Sequence, residues 1–160
     1  MAWRLKSVLM ALLIGLPALP AAVLAQSSEV KREISQIAGE LYRFQNNFHI
    51  SVFLVTEEGV IATDPINAEA AAWLRDEVKR RFGKPIRYVV YSHDHRDHIA
   101  GGEVFAAEGA VIVAHEKAKA AIIGEKRPTA VPEITLRHGR RVSLGGTTVK
   151  RSNNSKQLRD

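Results

Sequence analysis

The chain has 160 residues, enough for one domain, and its 46% hydrophobic and 25% charged residues are typical of a globular protein. Its net charge of +6 could suggest nucleic-acid binding, but aromatic residues do not interleave with the basic ones, so we expect no nucleic-acid partner. Because the chain has no cysteine, it can form neither a disulfide nor a zinc thiolate site, and only nitrogen and oxygen ligands remain.

Residues 1–25 have the pattern of a secretory signal peptide. A short basic region precedes an apolar run over residues 8–24, and small residues lead to a cleavage position between Ala25 and Gln26. An uncleaved membrane anchor is the alternative, which two prolines in the apolar run disfavour. We therefore predict a periplasmic or secreted protein with no membrane attachment beyond the signal. Removing the signal leaves 21 basic and 17 acidic residues.

The first part of the mature chain predicts one short helix and three strands. Ser28 could cap a helix that ends at Gly39, with an apolar face formed by Val30, Ile34, Ile37 and Ala38. Three sequential strands, expected to be antiparallel, follow over residues 41–44, 49–56 and 60–63.

The middle of the chain alternates between helices and strands. Asn67 is predicted to cap a helix that runs to Phe82 and ends before Gly83. The elements predicted after it are a strand over 86–91, a helix from about 99 to 107, a strand over 111–114 and a helix over 116–123. This order favours crossover connections between parallel strands.

The last part of the chain predicts a hairpin over residues 134–144, interrupted by Gly139, and a turn at Gly145-Gly146. Residues 150–160 contain one apolar residue and are predicted to be a disordered tail. The predicted organisation is therefore a signal peptide over 1–25, a folded part over 26–149 and the tail.

The sequence Ser-His-Asp-His-Arg-Asp-His spans residues 92–98, which we call the histidine loop. In extended backbone His93 and His95 point the same way, whereas Asp97 and His98 need a local turn to face a common centre. Imidazole and carboxylate are ligands of zinc. A solvated polar loop is the alternative, which three histidines and an aspartate in this spacing after a strand disfavour.

The pattern His-x-His-x-Asp-His, after a strand and before Gly-Gly, resembles the signature of the metallo-β-lactamase-fold hydrolases. The resemblance implies that His93 and His95 hold one zinc ion and that Asp97 and His98 hold a second. Asp97 could also orient the attacking water. The implied reaction is hydrolysis of a small-molecule amide, ester, thioester or lactone, and the motif does not distinguish among these substrates.

Asp64 follows the third predicted strand and precedes Pro65. An aspartate before proline is common in turns, which is one reading of this residue. The resemblance implies another, in which Asp64 lies beside the histidine loop and braces it through hydrogen bonds.

The resemblance also implies the fold class, α/β (α+β), as an αββα sandwich. Complete sandwiches of this kind need about 200 residues or more, so we expect the first αβ half and the opening of the second. A half-sandwich would leave a sheet face bare, which would favour self-association.

The family takes further zinc ligands from downstream loops, and the chain offers no matching residues. We predict that His49, His115 and His138 are packed or solvent-facing rather than ligands. His115 follows a strand, so the alternative for it is a position at the mouth of the site. The leading hypothesis is an exported zinc hydrolase, and the alternative is a catalytically inert chain that binds zinc weakly or not at all. A metal-dependent nuclease is disfavoured by the signal peptide.

Overall fold

The first four strands form an antiparallel meander in the computed structural model, which describes residues 30–137 and 141–150. The predicted signal peptide, His138 and the tail beyond Lys150 lie outside the described residues. The strands are β1 (Arg32–Ala38), β2 (Leu41–Asn46), β3 (His49–Thr56) and β4 (Gly59–Thr63). The prediction of three antiparallel strands over residues 41–63 is confirmed.

The helix predicted between Ser28 and Gly39 is wrong, because its described residues form β1. Ile34, Ile37 and Ala38 keep helical spacing even though they lie in β1, because a register irregularity between Gln36 and Ala38 interrupts the two-residue alternation of the strand. Pairing with β2 decides the outcome: Ile34 lies opposite Phe44, and Gly39, with φ +49°, turns the chain between the two strands.

The sheet continues with parallel strands joined by helices. The elements are α1 (Ala68–Phe82), β5 (Ile86–Val90), α2 (Arg96–Ile99), α3 (Gly102–Ala106), β6 (Val111–His115), α4 (Glu116–Gly124) and β7 (Ile134–Leu136). Strands β4 to β7 are neighbours in sequential order and all parallel, which completes a seven-stranded sheet. Because β4 and β5 are parallel, the residues that follow their carboxyl ends meet at one edge of the sheet.

The single helix predicted over about 99–107 is wrong, since α2 and α3 are separated by Ala100 and Gly101. Gly101 has φ +91°, and a Cβ there would lie 2.5 Å from the backbone carbonyl of Asn67. A Cβ on Gly102 would lie 1.7 Å from the hydroxyl oxygen of Tyr91. The Gly-Gly pair therefore lets the chain break between two helices while it packs against α1 and β5.

The hairpin predicted over residues 134–144 is also wrong. Its first half, β7, pairs in parallel with β6. Its second half, β8 (Arg141–Leu144), pairs instead with β9 (Thr147–Lys150) through the predicted turn at Gly145-Gly146. The pairing of β7 with β6 extends the large sheet. The hairpin of β8 and β9 forms instead around Gly145 and Gly146, both of which have positive φ.

Apolar residues are buried on both faces of the large sheet. The larger cluster includes Phe53, Leu74, Val89, Phe105 and Ile122 and so packs α1, α3 and α4 on one face. The smaller cluster contains Ile61, Val113, Leu136 and Val142, and so brings β8 to the other face. No helix among the described residues is long and apolar enough to cross a membrane.

Candidate metal centre

The histidine loop begins where β5 ends and finishes inside α2. The N–H of Tyr91 donates to the carbonyl of Val113 at 2.9 Å, which carries the sheet pairing to the start of the loop. His95 caps α2, and the N–H of His98 donates to the His95 carbonyl at 3.0 Å. This helical turn is the local turn that Asp97 and His98 need in order to face their neighbours.

The loop brings its three histidines and Asp97 together. The ring centroid of His93 lies 4.6 Å from that of His95 and 3.9 Å from that of His98. Asp97 Oδ2 lies 3.4 Å from His98 Nε2. The four residues suggested by the motif are therefore neighbours at the carboxyl edge of the sheet.

Asp64 contacts the loop through both of its carboxylate oxygens. Oδ1 accepts a hydrogen bond from the N–H of Ser92 at 2.7 Å, and Oδ2 accepts one from the Ser92 hydroxyl at 2.7 Å. Oδ2 also lies 2.9 Å from His98 Nδ1. A proton on Nδ1 that is donated to this carboxylate leaves the lone pair of Nε2 for a ligand. These are contacts of the kind that a bracing role requires, and the role itself stays a prediction.

The environment of His93 favours its neutral form. Burial lowers the pKa of His93, and the neighbouring His98 and His95 lower it further. Because only neutral imidazole has a lone pair to share, this environment keeps the side chain in the form that binds metal.

His49 approaches the site from the sheet, which its sequence context did not indicate. Its Nε2 lies 3.9 Å from Asp97 Oδ2, and its ring lies 4.5 Å from that of Phe48, which is 84% exposed. The one signal in its sequence context was the strand predicted over residues 49–56, which places His49 at a strand end. His115 instead caps α4, where its Nδ1 accepts a hydrogen bond from the N–H of Lys117 at 3.2 Å.

Two residues that the sequence reasoning did not single out follow α4: Arg127 contacts the loop, and Thr129 contacts Ile99, the residue after the loop. The guanidinium of Arg127 pairs with Asp94 Oδ2 at 3.0 Å and also donates to the Asp94 carbonyl. The hydroxyl of Thr129 donates to the carbonyl of Ile99 at 2.6 Å. The loop is thus held on both sides by residues distant in sequence.

The donor atoms in this cluster fit zinc in chemical type, since they are imidazole nitrogens and a carboxylate. The 3.4 Å between Asp97 Oδ2 and His98 Nε2 is close to the roughly 3.3 Å between two donors on one tetrahedral zinc. Over residues 30–137 and 141–150, no group of three or more His, Cys, Asp or Glu residues is arranged to hold a metal ion. Among the described residues, the donor spacing therefore fits zinc at the pair Asp97 and His98 rather than at a complete site.

Comparison with known proteins places this geometry in context. A family model described as the metallo-beta-lactamase superfamily matches residues 39–147. No curated protein matches the chain. Among solved structures, a metallo-beta-lactamase from Pontibacter korlensis is 19% identical, with a TM-score of 0.64 over 75% of this chain and 59% of that one.

Two further solved structures show the same likeness. The metallo-beta-lactamase IND-7 is 23% identical, with a TM-score of 0.64 over 77% of this chain and 59% of that one. The metallo-beta-lactamase from Hirschia baltica is 16% identical, with a TM-score of 0.60 over 73% of this chain and 58% of that one. At these identities the likeness shows the fold, an α/β architecture of the metallo-beta-lactamase type. The chain spans less than two thirds of the length of each structure.

Proposed function

Since the chain belongs to the metallo-beta-lactamase superfamily, we propose that it acts as a zinc-dependent hydrolase of a small molecule with an amide, ester, thioester or lactone bond. The observation that carries the proposal is the convergence of His93, His95, Asp97 and His98 at the carboxyl edge of the sheet. The metallo-hydrolase-like fold follows from family membership, whereas zinc and the substrate class belong to the proposal.

His93 and His95 would hold one zinc ion, and Asp97 and His98 would hold a second. When bound, zinc supplies Lewis acidity and lowers the pKa of water. The Asp97 side chain is 53% exposed, so its carboxylate is open to accept a hydrogen bond from an attacking water and to orient it. Asp64 would keep the His98 ring in one orientation and one tautomer through the Nδ1 contact.

We also propose that the protein is exported. The support is the basic, apolar and small-residue pattern of residues 1–25, with cleavage between Ala25 and Gln26. Cell fractionation with mass spectrometry of the N-terminus would test this: recovery in the periplasm with an N-terminus at Gln26 is expected, and recovery in the cytoplasm with an intact N-terminus would contradict it.

Zinc binding and turnover together test the hydrolase proposal. Zinc titration of the full chain, followed by assays on nitrocefin, an acyl-thioester and a lactone, should show bound zinc and turnover of at least one substrate. His95→Ala should abolish turnover and the binding of the zinc ion that His93 and His95 would share. His115→Asn is the matched control, because it keeps a capping side chain on α4 and lies outside the cluster.

The inert alternative makes the opposite prediction. A chain that binds no zinc, or that binds zinc and turns over none of the three substrates, would contradict the hydrolase proposal. Turnover that survives in His95→Ala would contradict the assignment of the site.

A further inference from the structure

The segment that follows α4 contacts the histidine loop at a residue that is not among the proposed ligands. Arg127 Nη2 lies 3.0 Å from Asp94 Oδ2, and Arg127 Nη1 donates to the Asp94 carbonyl. Both side chains are partly buried. One guanidinium thus binds the main chain and the side chain of the same residue.

Asp94 lies between His93 and His95 in the sequence, so its backbone sets the direction in which both imidazoles leave the chain. Binding its carbonyl fixes the rotation of the peptide that leads to His95. Binding the Asp94 carboxylate at the same time prevents the side chain and main chain of Asp94 from rotating together. From this geometry we infer that Arg127 is a positioning residue, which aims His93 and His95 by clamping the residue between them.

The contacts around the clamp limit its movement. Glu125 Oε2 accepts a hydrogen bond from Arg127 Nε at 2.9 Å and lies 2.7 Å from Arg127 Nη2, which orients the guanidinium. The Thr129 hydroxyl donates to the Ile99 carbonyl and lies 3.0 Å from the Tyr91 hydroxyl. Residues 127 and 129 therefore contact the middle of the loop and both of its flanks.

Tyr91 fixes this segment to the end of β5. Burial raises the pKa of Tyr91 to about 12, so its hydroxyl keeps its proton and can donate to the carbonyl of Ala130 at 3.2 Å. The Tyr91 ring is fully buried. The clamp on Asp94 is therefore attached to the sheet that carries the loop.

Arginine is suited to this role in a way that lysine is not. A planar guanidinium can bind a carbonyl and a carboxylate at once in a fixed geometry, whereas an ammonium acts as a mobile point charge. Arg127→Lys therefore keeps the charge and most of the apolar stem while it removes the forked geometry. A difference in zinc affinity between the protein with Arg127 and the Arg127→Lys variant would show that the guanidinium acts by positioning the loop rather than by electrostatic attraction alone.

The inference rests on the proposed zinc site, and zinc affinity is its first test. Substitution of residues that orient metal ligands typically weakens metal binding by about 10- to 100-fold, and we expect a loss in this range for Arg127→Lys. Arg137→Lys is the matched control, because Arg137 is exposed and its guanidinium pairs with Glu116 rather than with Asp94. Equal zinc affinity in Arg127→Lys and the wild type would overturn the inference.

A double-mutant cycle separates positioning from a general loss of stability. Asp94→Asn removes the carboxylate of the clamp, so Asp94→Asn/Arg127→Lys should bind zinc about as weakly as Arg127→Lys alone. Losses of zinc affinity that add fully would show that the two residues act independently and would overturn the inference. Thermal unfolding of each variant shows which of them remain folded for this comparison.

A readout without metal distinguishes failure of this inference from failure of the proposed function. If the wild type binds no zinc, the proposed function fails. The imidazole NMR resonances of His93 and His95 then test the clamp: Arg127→Lys should shift them, and Arg137→Lys should not. Unchanged resonances in Arg127→Lys would overturn the inference whatever the metal does.

Discussion

Helix α1 and the histidine loop lie next to each other but are held in different ways. The ends of α1 are fixed by residues of the helix and its flanks: Asn67 Oδ1 accepts from the N–H of Ala70 at 2.8 Å, and the N–H of Gly83 donates to the Lys79 carbonyl at 2.9 Å. The loop is held by Asp64 on one side and Arg127 on the other, about thirty positions away in each direction.

Because the two regions are held differently, substitutions in them should affect the stability of the fold and the geometry of the site to different extents. Substitutions at the ends of α1 should change the free energy of unfolding and leave metal affinity alone, because the loop does not depend on those side chains. Substitutions at the distant contacts of the loop should change both, since they release side chains that face the proposed metal. Gly101, three residues after the loop, packs against the backbone of Asn67, the residue that caps α1.

We expect the largest effect from Gly101→Ala. Its Cβ would lie 2.5 Å from the Asn67 carbonyl, and its φ of +91° is unfavourable for alanine. Backbone atoms cannot move aside as a flexible side chain can, so we expect a loss of roughly 3 kcal/mol or more in the free energy of unfolding, measured by urea denaturation.

Gly124→Ala is the control for this prediction, because a Cβ at that position would have no atom within 4 Å and the residue ends a helix. We expect it to change stability by less than about 1 kcal/mol. Similar stabilities for the two alanine variants would show that Gly101 is not tightly packed against Asn67.

Asp64→Asn should have the next largest effect. Asparagine tolerates the positive φ of this residue, +37°, but loses the charge and one acceptor for Ser92 and His98. We expect a loss of about 2 kcal/mol in stability and about 10- to 100-fold in zinc affinity, measured by denaturation and zinc titration. Asp76→Asn, at an exposed residue of α1, should leave zinc affinity unchanged. Wild-type zinc binding by Asp64→Asn would contradict a bracing role.

The same contrast explains which features could be predicted from the sequence. The limits of α1 were predicted because Asn67 and Gly83 are local signals, and the strands over 41–63 because their turns are local too. The region 30–38 was mistaken for a helix because Gly39, which turns β1 into β2, is also a typical residue after the end of a helix. The clamp on Asp94 by Arg127 was missed because the two residues are 33 positions apart, a contact that local spacing does not encode.

Asn67→Ala should have a moderate effect that is confined to stability. Loss of the cap leaves the N–H of Ala70 without its side-chain acceptor, which typically costs about 1 kcal/mol. Asn67→Ser should restore most of the loss, and both variants should bind zinc as the wild type does. Weaker zinc binding by Asn67→Ala alone would show that the end of the helix helps to shape the loop.

The smallest effect should come from Glu77, and it should depend on pH. Hydrogen bonds from Arg80 and Arg81 lower the pKa of Glu77 to about 2, so the folded chain binds this proton less readily than the unfolded chain does. The stabilisation is therefore present above the unfolded pKa of 4.5 and is lost as the pH falls toward 2. Because Arg80 is largely exposed, we expect less than about 1 kcal/mol.

The stability difference between wild type and Glu77→Gln isolates this contribution, since every other titrating group is common to both proteins. The difference should favour the wild type near about pH 7, shrink below the ordinary pKa of a glutamate and fall further in high salt. Zinc affinity near about pH 7 should be the same in both, because Glu77 acts within α1 alone. A stability difference that is independent of pH would instead mean that Glu77 acts through packing rather than through its charge.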